Sequence, residues 1–212
     1  MLIKLLGGLW VSAEIFAVTL VFSLILGLLV CFGRRSRCKI LSAFCRIYIS
    51  VLRGTPLMLQ LLVVYFGPYY LLHMQISYGY RLIAVFIGFV LNYAAYFAEI
   101  YRSGIESISV GQWEAAQILG YTRAQTFFHI IFPQVVKRIL PPVCNETITL
   151  VKDTSLAFAI TVTEMFTLAK QIAAANTTML PFVIAGVFYY VFNLLVAFAF
   201  HALEKKLSYY NS

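Results

Sequence analysis

The chain has 212 residues, 62% of them hydrophobic and only 11% charged, with a mean hydropathy of +0.88. A soluble domain averages about 45–50% apolar and about 25% charged residues, so this composition argues against a single water-soluble core and asks for lipid as solvent. Sixteen Lys and Arg against eight Asp and Glu leave a formal charge of +8; the aromatics sit in apolar runs, not among the cations, which argues against a nucleic-acid surface and for cations flanking a bilayer.

The N-terminal stretch does not read as a secretion signal: Lys4 precedes a weak apolar start, Glu14 interrupts it, and the run continues into an arginine cluster. A spanning helix needs roughly 20 mostly apolar residues. The uncharged run 15–33, closed by Arg34, Arg35, Arg37 and Lys39, predicts span one over about 10–33. Cys31, Cys38 and Cys45 recur every seven residues, which on one helix puts them near one face; with no C-x-x-C pair they read as packing residues, not metal or redox groups. Span two is expected over about 47–72, with Pro56 and Pro68 kinking or ending it, and span three over about 82–101. Span four, about 142–166, carries Asn145, Glu146, Lys152, Asp153 and Glu164, and span five, about 180–203, begins near Pro181.

Residues 102–140 form the long loop between spans three and four. It holds Trp113, Ile118, Leu119, Phe127, Phe128 and Ile130, so it reads as short helices against the membrane face. Ser103-x-x-Glu106 predicts a helix start, Gly111 and Gly120 punctuate, and Pro133, Pro141 and Pro142 break the path back. The positive-inside rule places twelve of the sixteen cations, in the loops after spans one and three and after span five, on one side. Lys4, Arg81 and Lys170 fall on the other, and Lys152 lies inside a span. The expectation is an all-α polytopic membrane protein with five transmembrane helices, N-terminus outside, C-terminus cytoplasmic, residues 1–212 forming one domain.

Within the loop stand Glu114-Ala115-Ala116, then Gly120, Ile130 and Pro133. This resembles the E-A-A, three residues, G, nine residues, I, one residue, L-P loop of ABC importer permeases, with Phe132 in place of the Leu. Two alanines leave a thin helix face, Gly120 permits a left-handed stop, and Glu114 lies near a helix start, where the dipole favours an anion. Arg53-Gly54-Thr55-Pro56-Leu57 with Gln60, then Ala94-Ala95-Tyr96, Glu99, Arg102, Gly104-Ile105 and Gly111-Gln112, and Lys152-Asp153-Thr154-Ser155-Leu156 with Glu164 are similar to segments of polar amino-acid permeases. The resemblance runs over roughly residues 20–190 and implies the type I importer permease fold in a bacterial cytoplasmic (inner) membrane. It implies ATPase coupling through residues 111–123, with Trp113, Glu114, Ala115, Ala116, Gly120 and Tyr121 at the contact.

Ionisable residues in a span are costly and default to functional hypotheses. Lys152 and Asp153 can meet the carboxylate and ammonium of a zwitterion, or only stabilise helix packing. Thr154 and Ser155 can add hydrogen bonds to it, or satisfy backbone groups freed where the helix is irregular. Asn92 is a further path candidate, and Asn145 reads as a buried bridge between helices. Glu164, placed near the outer end of span four, attracts a cationic solute or sits in water. His73, His129 and His201 read as interfacial side chains.

No G-x-x-x-x-G-K-[ST] is present, so ATP and Mg belong to a partner, and the chain itself is expected to bind no cofactor and to be no enzyme. The resemblance further implies ATPase subunits, a second permease (identical or paralogous), an extracytoplasmic binding protein and an amino-acid substrate. Alternatives are a permease for another small polar solute, or a non-transporting assembly or sensor subunit. A secondary transporter lacks support because no internal repeat is found.

Overall fold

The computed structural model describes residues 1–207, and these contain helices and connections with no strand. The order is α1 (Leu2–Arg34), α2 (Lys39–Gly54), α3 (Leu57–Leu72), α4 (Tyr80–Glu106), α5 (Val110–Ile118), α6 (Arg123–Gln125), a π-turn (Thr126–Ile131), α7 (Phe132–Asp153), a 3-10 segment (Thr154–Ile160), α8 (Met165–Asn176) and α9 (Leu180–Leu207).

Helix α1 shows how lipid replaces water as the solvent. Its buried stripe is Leu5, Gly8, Ser12, Ile15, Thr19, Ser23, Gly27 and Cys31, mostly small or polar, at steps of three or four. Its outward face carries Val21, Phe22, Ile25 and Leu29, which are exposed. Small residues inside and large apolar ones outside is the pattern of a membrane helix, where close backbone approach drives packing. A Cβ on Gly27 would lie 2.9 Å from Phe97 Cβ and 3.0 Å from the Ala94 carbonyl oxygen, so α1 and α4 touch almost backbone to backbone there. The helix begins at Leu2, well before the expected start near residue 10. Neither Lys4 nor Glu14 interrupts it, because both project from its exposed or half-exposed side.

Helices α1 and α4 run in the same direction. Arg34 meets Glu99 at their C-terminal ends, and the Tyr101 hydroxyl donates to Leu24 O. Helix α3 runs against α4: Leu61 fills the space at Gly88, and the Tyr80 hydroxyl donates to Val64 O at 3.0 Å. Span two, expected over about 47–72 with Pro56 and Pro68 kinking or ending it, is interrupted at the first of these prolines only. It breaks between α2 and α3, which turn through 112°. Thr55 and Pro56 are both extended there, because proline supplies no N–H and holds its predecessor out of the helical region. Pro68 breaks nothing; it lies inside α3, which ends instead at His73 in a left-handed conformation, φ 51°. The bend after Arg34 also separates the cysteines: Cys31 and Cys45 are buried on α1 and α2, and Cys38 caps α2 in the open.

Span four also differs from the expectation of a helix over about 142–166. Helix α7 runs from Phe132 straight through Pro141 and Pro142 to Asp153. The disruption comes later, where the Thr154 and Ser155 hydroxyls donate to Val151 O and Lys152 O at 2.8 Å. Such local bonds compete with the helix ladder. The backbone tightens to a 3-10 segment, turns left-handed at Thr161 (φ 61°), and restarts as α8, with a 60° bend between the two helical stretches. By length and composition α1, α4 and α9 can each cross a membrane alone, and each bent pair can supply one further crossing.

Candidate functional site

Two regions collect the sequence-predicted residues. The first is α5. Ser109 caps it, its Oγ accepting from Gly111 N. The Gly120 N–H bonds to Gln117 O and the Tyr121 N–H to Ala116 O, both at 3.0 Å. This doubly bonded stop requires a left-handed residue just past the helix, and Gly120 supplies it with φ +82°. Thr122 and Gln125 then form a reciprocal capping box that starts α6. Ser103 and Glu106 lie inside α4, so the helix start expected there belongs to Ser109.

The inner side of α5 is anchored. Ala116 is buried, and Trp113 packs on Ile105, Ile108 and Ile131 together with Phe127 and Ile130. The two alanines therefore do not share a face: Ala116 faces this chain and Ala115 is exposed. The outer side is open. Val110, Ile118, Leu119 and Tyr121 are exposed, Ile118 by 86%, and Glu114 has no hydrogen bond or ion pair among the described residues.

The second region is a half-open, partly polar chamber of about 370 Å³ on one side of the helical bundle, lined by Thr55, Asn92, Tyr93, Tyr96, Glu146, Thr149 and Asp153 together with Pro56, Leu57 and Leu156. The Tyr93 hydroxyl donates to Asp153 Oδ2 at 2.7 Å. Asn92 donates to Leu52 O at 3.1 Å and to Gln60 Oε1 at 3.0 Å, while Gln60 donates to Leu52 O at 2.9 Å. These bonds satisfy the carbonyls left open at the α2–α3 break and tie it to α4. Lys152 is exposed and makes no contact ion pair with Asp153; Thr154 and Ser155 spend their hydroxyls on α7 carbonyls.

Glu164 is elsewhere, and it is fully buried, not in water. It caps α8, accepting from Phe166 N at 2.6 Å and Thr167 N at 2.7 Å, and from the hydroxyls of Thr167 and Tyr189. Asn145, expected as a buried bridge, is exposed in this chain. It lines a wider cavity of about 600 Å³ beside the chamber, with Arg53, Glu99, Ser103, Arg138 and Glu146.

Sequence reasoning quoted Glu99, Arg102 and Arg53 within the family resemblance but gave them no role, and they form the hub of that second cavity. Glu99 lies 2.5 Å from Arg34 Nη1, 2.5 Å from Arg102 Nη2 and 3.9 Å from Arg53 Nη1, and Arg102 also pairs with Glu106. Exposed pairs are worth about 0–1 kcal/mol each, but this network draws α1, α2 and α4 to one end of the bundle. The available signal was a carboxylate three residues before Arg102 in an otherwise apolar stretch. Tyr93 and Thr149 gave none, since an aromatic or a threonine in a span is ordinary.

The family model described as "binding-protein-dependent transport system inner membrane component" matches residues 19–209. The chain is 34% identical over 207 residues to the L-cystine transport system permease protein TcyB of Bacillus subtilis (strain 168), covering 96% of this chain and 86% of TcyB. It is 38% identical over 204 residues to the arginine transport system permease protein ArtQ of the same organism, covering 96% and 92%. Among solved structures, an amino acid ABC transporter crystallised with histidines superposes with a TM-score of 0.87 at 29% identity, over 96% of this chain and 94% of that one. The inward-facing MetNI methionine ABC transporter shares the fold at 18% identity, with a TM-score of 0.73 over 98% and 97%. With the C-terminal half of α1 and all of the helices that follow, α5 included, inside the matched range, the chain belongs to the family of binding-protein-dependent transport system inner membrane components.

Proposed function

We propose that this chain is the membrane-spanning permease of an ATP-driven importer that moves an amino acid across the cytoplasmic membrane and is driven by a separate ATPase through α5. The observation that carries the coupling role is the two-sidedness of α5, anchored inward by Ala116 and Trp113 and open outward at Val110, Ile118, Leu119 and Tyr121. Such an element passes force. A partner that grips its outer face moves the α4 end and the π-turn beneath it, and α4 and α7 line the polar chamber.

The cations of the α1–α2 and α4–α7 connections define the cytoplasmic end, which leaves the N-terminus outside and the C-terminus inside across five crossings. The amino-acid substrate is supported by two relatives that match nearly the whole chain and are named for cystine and arginine. A chamber offering carboxylates, hydroxyls and amides suits such polar solutes. A second permease, two ATPase subunits holding ATP and Mg, and an extracytoplasmic binding protein complete the machine. Nucleotide binding works by favouring one of two permease states over the other.

The test is uptake of labelled arginine and cystine into vesicles carrying this chain with its ATPase and binding protein. ATP-dependent uptake is expected, and replacing Glu114 with Ala together with Gly120 with Val should abolish it while the chain remains in the membrane. Unchanged uptake in that double variant would sink the coupling role of α5.

A further inference from the structure

We propose that the Tyr96 ring, clamped by Arg53, is a gate on the translocation path between the chamber and the wider cytoplasmic cavity. The inference rests on the importer reading above. The two cavities have Tyr96 and Glu146 in common, so these two side chains stand at the boundary where they adjoin. The chain of α2 and α3 crosses the same boundary: Arg53 lines the outer cavity, and Thr55 and Pro56, just past the break, line the inner one.

Tyr96 is held from two sides. The Arg53 guanidinium lies over its ring, 5.3 Å from the centroid, and the Tyr93 ring lies 6.2 Å away on the chamber side. A guanidinium over a phenol face is attracted by the ring's negative π surface. Arg53 is in turn anchored by Glu99, 3.9 Å from its Nη1. The backbone next to it is pinned, because Leu52 O accepts from both Asn92 and Gln60. Arg53 therefore cannot leave the ring unless α2 shifts against α4 or the side chain swings off Glu99.

That coupling suits a gate. Tyr96 stands ten residues before the end of α4, about 15 Å along the helix, and α4 leads through Ser107 and Ser109 into α5. Movement that starts at α5 reaches the clamp through one rigid element. The ring is the obstruction and Arg53 the positioning residue, whereas Asp153 and Tyr93 face only the inner chamber.

The experiment uses the complete complex in proteoliposomes, with Tyr96→Ala, Tyr96→Phe, Arg53→Gln and Arg53→Lys. Two quantities are read: amino acid moved per ATP hydrolysed, and downhill efflux of preloaded labelled amino acid from vesicles whose transporter is trapped with ATP and vanadate. Loss of the ring should change both by about fivefold or more, the equivalent of one clamp contact. Tyr96→Phe keeps the ring and should stay within about twofold on the same scale. Arg53→Gln should leak, and Arg53→Lys should recover part of the seal. Wild-type coupling and efflux in both Tyr96→Ala and Arg53→Gln would overturn the gate, as would a Tyr96→Phe variant as leaky as Ala. Co-purification of the ATPase reports assembly; should Tyr96→Ala fail it, Arg53→Gln decides alone. A wild-type complex without ATP-driven uptake would overturn the importer reading, and the gate with it.

Discussion

Helix α5 and the chamber are specified at opposite ranges. The bonds that shape α5 join near neighbours: Ser109 to Gly111, Gly120 to Gln117, Tyr121 to Ala116. The bonds that shape the chamber join Tyr93 to Asp153 across 60 positions and Asn92 to Leu52 across 40. An element built locally can offer its outer face to a partner without risk to the rest of the fold. A chamber built from distant segments exists only when every helix is seated. Substitutions in the helical bundle should therefore register first as lost stability, and substitutions in α5 first as lost uptake.

The harshest test of the bundle half is Gly27→Leu. The new side chain would meet Phe97 Cβ and the Ala94 carbonyl at contact distances that no rotamer relieves. Overpacking of this kind costs about 3 kcal/mol, so the purified variant should unfold at clearly lower temperature in detergent. Next comes Glu164→Ala, which strips the cap of α8 and leaves the Tyr189 hydroxyl short of an acceptor, while Thr167 keeps Val162 O at 2.9 Å. A cost of about 2 kcal/mol is expected, again read as thermal unfolding. A variant as stable as wild type would deny Glu164 a structural role and return it to the candidates for solute contact.

The same contrast sets what the sequence could reveal. The stop at Gly120 followed from spacing alone, because a glycine past a short helix has one common use; the exposure of Ile118 and Leu119 did not, since their apolar side chains read as packing against the membrane face. Apolar runs likewise located the regions where the helices long and apolar enough to cross a membrane, and the bent pairs, are found, and the start of α9 near Pro181. Which prolines break a helix did not follow. Pro56 and Pro68 look alike in the sequence, yet only Pro56 coincides with a bend, since α3 continues through Pro68 while Asn92 and Gln60 satisfy the carbonyl of Leu52 before Pro56. Pro141 and Pro142 look like a stop, yet the helix fails instead at Thr154 and Ser155, where hydroxyls take its carbonyls. The burial of Glu164 was illegible for the same reason: three of its four donors lie within three residues, but its enclosure needs the side chains of α1, α8 and α9.

Tyr93→Phe probes the chamber with less disturbance. The ring keeps its stack on Phe89, with centroids 6.3 Å apart, and only the hydroxyl is lost. The Asp153 carboxylate then faces the bundle without its donor. A cost of about 1.5 kcal/mol is expected. Adding Asp153→Asn removes the stranded charge and should recover part of it. Strict additivity of the two replacements would show that the bond contributes nothing, since coupled partners deviate in a double-mutant cycle.

Gly120→Ala should have the smallest effect on stability and the most selective effect on uptake. At φ +82° an alanine costs about 1 kcal/mol, and no neighbour lies within 4 Å of its added Cβ. The penalty therefore falls on the turn, not on packing, and shifts the end of α5 away from its left-handed stop. About 1 kcal/mol is worth roughly fivefold in the population of the competent turn. Uptake should drop by a similar factor while the unfolding temperature of the bundle barely moves. Gly120→Asn supplies the control, because asparagine tolerates the left-handed region and should keep most of the activity. If both variants lost stability and uptake together, α5 would be as deeply tied into the fold as the chamber, and the division between a locally built helix and a distantly built chamber would fail.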